Sequence, residues 1–166
     1  MLDQGADPNG HDASGKPLGI AVLRGRLEYV SWLLTLGADP NAQYHGRTII
    51  STLMRQVEQY ADEGGGEGDD YEWPERIELL ARWGANPHLE NKWYDEDDDD
   101  EGPNAWPFIL KRPVLYEAYM KGVAARQQAE NEARTMLDDV CEAGQRAKFA
   151  DDTEAMLTQF RSVRPA

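Results

Sequence analysis

One five-residue phrase occurs three times in this chain, and its spacing constrains the fold more than any other feature. It stands as GADPN at 5–9 and 37–41 and as GANPH at 84–88. The first two copies begin 32 residues apart, and the third begins 47 residues after the second. Self-similarity near a period of about 33 residues is typical of stacked helical repeats. The phrase therefore predicts a short helical array, a class that more often binds molecules than transforms them.

The residues around each phrase have helical periodicity. Apolar residues stand seven, four and three positions before Gly37 and again before Gly84. This spacing makes one helical face, and each glycine falls where a helix ends in the left-handed conformation. The proline that follows prevents the helix from continuing. A shorter helix is predicted to begin near Pro17, because proline is tolerated in a first turn, and the equivalent opening of the next unit is at 47–51.

These motifs resemble those of the ankyrin repeat. The family's Thr-Pro-Leu-His-x-Ala opening is matched in degenerate form at 16–21 and 48–53, and its Val-x-x-Leu-Leu-x-x-Gly-Ala-Asp-x-Asn close is nearly complete at 30–41. The resemblance covers about residues 1–90, in which 42–88 is a stretched unit and 1–9 is the tail of one. It implies stacked helix pairs and a role in binding other proteins.

After His88 the period fails. An apolar cluster at 106–110 is expected to open a last, diverged unit, and apolar residues at helical spacing predict a long helix from about 113 to 143. Asp151 and Glu154 indicate the start of a final helix. No strand-like alternation of useful length occurs. The predicted fold is all-α, a helical solenoid of three to four units, some partial, over 1–112, with a C-terminal helical extension at 113–166 that packs on or caps the array.

Charge and cysteine content narrow the function. The net charge of −14 repels nucleic acids and anionic membranes and attracts basic protein surfaces. No apolar run is long enough to span a bilayer, and the start lacks the basic and apolar regions of a secretory signal. The single cysteine, Cys141, excludes an internal disulfide and fits a reducing compartment. The expected location is the cytoplasm.

Two acidic inserts interrupt the array, at 60–72 and 95–101. Together they hold 13 of the 31 acidic residues and no base, and aromatic residues border both. An aromatic pair beside an acidic stretch has the composition of a protein-binding hot spot with a charged rim. The alternatives are a solvated spacer for the acids and a loop anchor for the aromatic residues. The predicted partner-binding residues are Asp69, Asp70, Tyr71, Trp73, Trp93, Tyr94, Asp95, Glu96, Asp97, Asp98, Asp99, Asp100 and Glu101.

Dedicated chemistry is not predicted. The acidic run lacks the glycine and the alternating acids of a calcium loop. His11, His45 and His88 recur with the repeats, so their rings need not converge, and Cys141 has no nearby group that would activate its thiol. Trp32 and Trp83 occupy outer positions, where they are expected to pack between layers. The chain is predicted to need no metal or cofactor and not to be an enzyme.

The favoured hypothesis is a protein–protein interaction module whose inserts bind a partner with a basic surface. Its most concrete form is an inhibitor, such as an immunity protein or antitoxin that covers a basic toxin or nuclease. Two alternatives remain. A nucleic-acid mimic would carry its acids along a rigid face, whereas these cluster in inserts. A fragment of a larger ankyrin scaffold fits a chain that begins at Met1 inside a repeat unit.

Overall fold

The computed structural model describes residues 7–10, 16–62, 72–91 and 104–162. The regular secondary structure of these residues is helical apart from one short hairpin, which confirms the all-α prediction. In chain order the elements are α1 (Pro17–Arg24), α2 (Leu27–Thr35), β1 (Gln43–Tyr44), β2 (Arg47–Thr48), α3 (Ile49–Asp62), α4 (Trp73–Arg82), α5 (Trp106–Leu110) and α6 (Pro113–Ser162).

The helices are arranged as repeating pairs. The first helices of the pairs, α1 and α3, lie against each other, and so do the second helices, α2 and α4. The short α5 and the start of α6 form the third pair, in which Ile109, Leu115 and Ala118 join the core. This stacking buries one continuous apolar core across the three pairs. Its largest fully buried side chains include Leu18, Leu34, Ile49, Ile50, Leu53, Met54, Ile77 and Leu80.

The glycine of each later phrase ends a second helix, as the sequence predicts. Gly37 has a φ of 91° and Gly84 a φ of 92°, in the left-handed region that favours glycine. The Gly37 N–H donates to the Leu34 carbonyl at 3.0 Å and the Ala38 N–H to the Leu33 carbonyl at 3.0 Å. Gly84 and Ala85 make the same two bonds after α4. These pairs are Schellman motifs, which satisfy the last carbonyls of α2 and α4.

The asparagine that closes a phrase joins it to the next copy. Asn9 Nδ2 donates to the Gly37 carbonyl at 2.9 Å, and Asn9 Oδ1 accepts the Asp39 N–H at 2.7 Å. Asn41 repeats the pattern, donating to the Gly84 carbonyl at 3.0 Å and accepting the Asn86 N–H at 2.7 Å. One side chain thus satisfies a donor and an acceptor of the neighbouring turn. We call these two links the asparagine ladder.

The third phrase ends in histidine, and the ladder is not continued there. His88 instead lies beside Trp106, with ring centroids 4.7 Å apart, and Trp106 contacts Tyr119 at 5.7 Å. The Tyr119 hydroxyl donates to the Ala85 carbonyl at 3.4 Å. Burial raises the pKa of Tyr119, and the nearby charge of Arg126 partly opposes that rise. The third turn is therefore held by aromatic contacts with the last helix pair.

A short hairpin, which was not predicted from the sequence, connects the first two helix pairs. Gln43 pairs with Thr48 and Tyr44 with Arg47 in antiparallel register. The turn residues His45 and Gly46 have φ values of 49° and 71°, the positive values that a two-residue hairpin turn requires. Strands of two residues are too short to show a period of two in the sequence. The Thr48 hydroxyl then accepts the Ser51 N–H at 3.3 Å, in the first turn of α3.

The last helix is longer than predicted. The expected end near 143 and the separate helix start at Asp151 are both wrong, because α6 runs without a break from Pro113 to Ser162. Gly144 is the only helix-weakening glycine or proline between 143 and 151, and a lone glycine costs about 1 kcal/mol without ending a helix. The chain divides into two compact units, residues 1–126 and 127–166. In the second unit, the helical side chains from 127 to 145 are all exposed.

Gly122 allows α6 to approach α4 closely. A Cβ atom at this position would overlap the Glu78 carbonyl oxygen and would lie 2.8 Å from the Cβ of Ala81. Real Cβ atoms do not approach backbone so closely, so a side chain here would force the two helices apart. The position is buried, whereas a Cβ atom at Gly144, in the same helix, would meet no atom within 4 Å.

The two glycines of α6 should therefore respond oppositely to alanine. We expect G122A to lower the free energy of unfolding by about 2 kcal/mol through overpacking. The control G144A should raise it by about 0.5–1 kcal/mol, because alanine is the better helix former. Urea denaturation followed by circular dichroism measures both. An unchanged stability of G122A would contradict the close approach of α6 and α4.

The asparagine ladder gives a second prediction. Asn41 makes one part-buried hydrogen bond, to the Gly84 carbonyl, and one exposed hydrogen bond, from the Asn86 N–H. N41A should therefore lower the free energy of unfolding by about 1–3 kcal/mol. N9A removes the equivalent pair at an exposed turn and should cost less than about 1 kcal/mol. The same urea denaturation compares them. Equal losses in the two variants would show that burial of the inner link adds nothing.

Candidate protein-binding groove

A groove of about 570 Å³ lies between α2 and α4. Its walls are the sides of these second helices that face away from the core. From α2 come Leu27, Glu28, Ser31 and Trp32. From α4 and the residue before it come Glu72, Glu75, Glu78, Leu79 and Arg82. The groove is therefore a product of repeat stacking, since it needs two second helices side by side.

Helical spacing brings the α2 wall together. Glu28 and Trp32 are four residues apart and so lie on one side of the helix. The opposite side of α2 is committed to the core through Val30, Leu33 and Leu34, which are at most 5% exposed. Trp32 remains 43% exposed although tryptophan is among the most apolar of large side chains. The α2 wall thus offers an indole ring next to a carboxylate.

The α4 wall follows the same logic. Glu75, Glu78 and Arg82 are spaced by three and four residues, and Leu79 lies between them on the same side of the helix. The core side of α4 holds Ile77 and Leu80, both fully buried. Amphipathicity therefore fixes which residues of α4 face the groove. They are two glutamates, one leucine and one arginine.

The groove carries an excess of negative charge. Four glutamates and one arginine line it, which gives a formal charge of −3 (−4 + 1). Glu78 Oε2 accepts a hydrogen bond from Lys121 Nζ at 2.7 Å, and Glu72 Oε2 lies 3.9 Å from Arg76 Nη2. Glu28 and Glu75 form no ion pair with any of the described residues. Each wall therefore presents one carboxylate without a described basic partner.

Arg76 holds α4 in place behind the groove. Its guanidinium is buried, and it donates from Nη1 to the Val22 carbonyl and from Nη2 to the Gly25 carbonyl at 2.8 Å. Both acceptors belong to the end of α1 and the turn that leads into α2. Burial lowers the pKa of Arg76, and the charge of Glu72 opposes that shift. The side chain thus links the α1–α2 turn to α4 and sets the relation between the two walls.

Of the thirteen predicted partner-binding residues, the described part of the chain contains only Trp73. It is 3% exposed and belongs to the core, and its ring centroid lies 5.8 Å from Cζ of Arg76. This is the position of an aromatic anchor, the alternative that the sequence analysis left open for the aromatic residues. The others, at 69–71 and 93–101, lie outside the described residues, and their role stays a prediction.

The remaining candidates for chemistry are dispersed. His45 is at the hairpin tip against Tyr44, with ring centroids 4.3 Å apart, and His88 is beside Trp106; His11 is outside the described residues. Cys141 is an exposed free thiol on α6. The described residues contain no cluster of histidine, cysteine and acidic side chains suited to a metal ion. No helix among them combines the length and apolarity needed to cross a membrane.

The groove residues were not predicted from the sequence. Trp32 was expected to pack between layers, and Glu28 and Glu75 were given no role. A usable indication was present, because Glu28 and Trp32 are four residues apart on a helix whose core side was already predicted. The same holds for Glu75, Leu79 and Arg82 on α4. What the sequence could not show is that the outer sides of α2 and α4 face each other across a cavity.

The stacked helix pairs make this a helical-repeat protein, and the groove between α2 and α4 is its candidate binding surface. The family model for the ankyrin repeat matches residues 17–45. This span runs from the start of α1 into the hairpin turn, and it confirms the resemblance derived from the repeated motifs. Residues 17–45 are thus similar to an ankyrin repeat, a type of domain that mediates protein–protein interaction. No curated protein matches the chain.

The link made by Arg76 gives a prediction for the groove's framework. R76M should lower the free energy of unfolding by about 2–4 kcal/mol, because it leaves the buried Val22 carbonyl and the part-buried Gly25 carbonyl without this donor. R82M changes an exposed arginine of the same helix and should stay within about 0.5 kcal/mol of the parent. Urea denaturation of the two variants measures the difference. If they were equally stable, Arg76 would not hold α4 to the α1–α2 turn.

Proposed function

We propose that this chain is an inhibitor that binds a protein with a basic surface. In its most concrete form it is an immunity protein or antitoxin that covers a basic toxin or nuclease. The ankyrin repeat supports the general role in protein–protein interaction. The observation that carries the choice of a basic partner is the acidic groove between α2 and α4, whose lining has a formal charge of −3.

The charge of the whole chain supports the same partner. A net charge of −14 on 166 residues attracts a basic protein over distances longer than direct contact. Glu72 lines the groove, and the stretch that precedes it in the sequence, 63–71, contains four more acidic residues. The second acidic run, at 95–101, adds seven more. A basic partner would meet complementary charge at the groove and at both inserts.

Association kinetics test the electrostatic part of this proposal. Affinity capture from the source cell, with mass spectrometry, first identifies the partner, and stopped-flow mixing then measures the association rate constant. Because charge complementarity accelerates encounter, the constant should fall about tenfold or more between low and high salt. A rate constant that is independent of salt would contradict a partner selected by charge.

Matched variants locate the charges that matter. We expect D98N/D99N/D100N, in the second insert, to slow association several-fold at low salt, because steering depends on charges near the interface. The control D138N/D139N/E142Q removes the same charge from α6, outside the inserts and the groove. Equal effects of the two triple variants would show that only net charge matters and that the 95–101 run is a spacer.

The inhibitory role has its own test. The captured partner is assayed for its own activity while this chain is added up to and beyond one equivalent. Loss of activity that is complete at one equivalent supports an inhibitor. Undiminished activity of a saturated complex contradicts inhibition and favours the alternative, an interaction scaffold.

A further inference from the structure

We propose that the groove between α2 and α4 receives arginine side chains of a partner protein, with the guanidinium against Trp32 and within reach of Glu28 and Glu75. This inference rests on the proposed function, because it assumes a basic partner. It adds that the partner's side chain is an arginine and that the binding place is the groove. The occupant is an arginine-bearing segment of another protein. The cavity, the exposed indole and the two unpaired carboxylates carry the proposal.

The cavity has the size and the lining for a long side chain. Its volume of about 570 Å³ exceeds that of one arginine side chain, so a short stretch of the partner's backbone can enter with it. Leu27 and Leu79, one on each wall, offer apolar surface to the aliphatic stem. Trp32, 43% exposed, offers the indole ring against which a flat cation is favoured.

The charges that remain after internal pairing lie on both walls. Glu78 forms an ion pair with Lys121, and Glu72 lies near the buried Arg76. Glu28 on α2 and Glu75 on α4 have no basic partner among the described residues. A cation placed between the walls therefore meets one available carboxylate on each side. Arg82 is the one positive charge in the lining. Its charge opposes that of the partner and is smaller than the sum of the two available carboxylates.

The lining favours arginine over lysine. A guanidinium is flat and weakly hydrated, carries five N–H donors and stacks on aromatic rings, so one group can contact an indole and two carboxylates together. An ammonium group is compact and strongly hydrated, and it loses more on leaving water. The chain makes the same pairing internally, where Arg76 lies by Trp73 with Glu72 nearby. The groove repeats this combination with its arginine position open.

Two peptides of equal charge test the proposal on the full chain, acetyl-hexaarginine amide and acetyl-hexalysine amide. Each is titrated at low salt while the indole N–H resonances are followed by nuclear magnetic resonance. W32F assigns the resonance of Trp32, and W83F assigns that of Trp83, which is 42% exposed but outside the groove lining. We expect hexaarginine to shift the Trp32 resonance, with a dissociation constant several-fold below that of hexalysine at the same resonance.

Charge-neutral variants provide the matched comparison. E28Q/E75Q should raise the dissociation constant for hexaarginine, measured at Trp32, about tenfold, because it removes both available carboxylates. E90Q/E117Q removes two exposed carboxylates elsewhere and should change the constant less than about twofold, since only long-range charge is lost. Circular dichroism confirms that each variant is folded before its binding is compared.

The outcomes separate this inference from the function on which it rests. Equal losses in the two double variants, or a Trp83 shift as large as that of Trp32, would place binding outside the groove and overturn the inference while a basic partner still stands. If hexalysine bound as tightly as hexaarginine, and its binding were lost in E28Q/E75Q but kept in E90Q/E117Q, the choice of arginine would be overturned. If neither peptide bound anywhere on the chain at low salt, the proposed preference for a basic partner would itself fail.

Discussion

The hydrogen bonds of Asn41 are the link on which the arrangement of the repeats depends. This side chain donates to the carbonyl of Gly84 and accepts the N–H of Asn86, so it ties the turn after α2 to the turn after α4. Gly37 and Gly84 both have the left-handed conformation. In that conformation the carbonyl of Gly37 accepts from Asn9 and the carbonyl of Gly84 accepts from Asn41. The groove is lined by the same two helices, so its walls are held at one end by this link.

Arg76 fixes the same two helices from the core side. Burying a guanidinium is costly, and the carbonyls of Val22 and Gly25 offset part of that cost by accepting from Nη1 and Nη2, whereas the buried Nε has no partner among the described residues. Those carbonyls lie at the end of α1, where a helix has unpaired acceptors and a negative dipole end. Arg76 thus supplies donors to carbonyls at the end of α1 and in the turn after it, and the same bonds position α4. The side chains of Arg76 and Asn41, bonded to backbone groups outside the groove, hold its two walls together, and the acidic side chains within the groove do not.

The repeated phrase made most of this fold predictable. Apolar residues three and four positions before Gly37 and Gly84 predicted the core sides of α2 and α4, and the glycines predicted their ends. The hairpin was not predicted because His45 and Gly46 join strands of only two residues. The predicted end of α6 was too early because Asp151 resembles a helix start, although α6 is continuous through that position. The groove was not predictable from Glu28, Trp32 or Glu75 alone, since a sequence shows the sides of each helix but not which sides face each other.

The place of the first insert explains how the array tolerates it. Within the first insert (60–72), residues 60–62 belong to the end of α3 and residues 63–71 link α3 to Glu72 and α4. The contacts between repeats are made by the asparagine ladder and by the pairings of α1 with α3 and α2 with α4. None of those contacts passes through the insert. Lengthening a connection costs only about 0.6 kcal/mol for each doubling, because closure entropy grows with the logarithm of length. The repeat can therefore accept these nine residues, most of them acidic or glycine, without loss of the contacts that hold the walls of the groove.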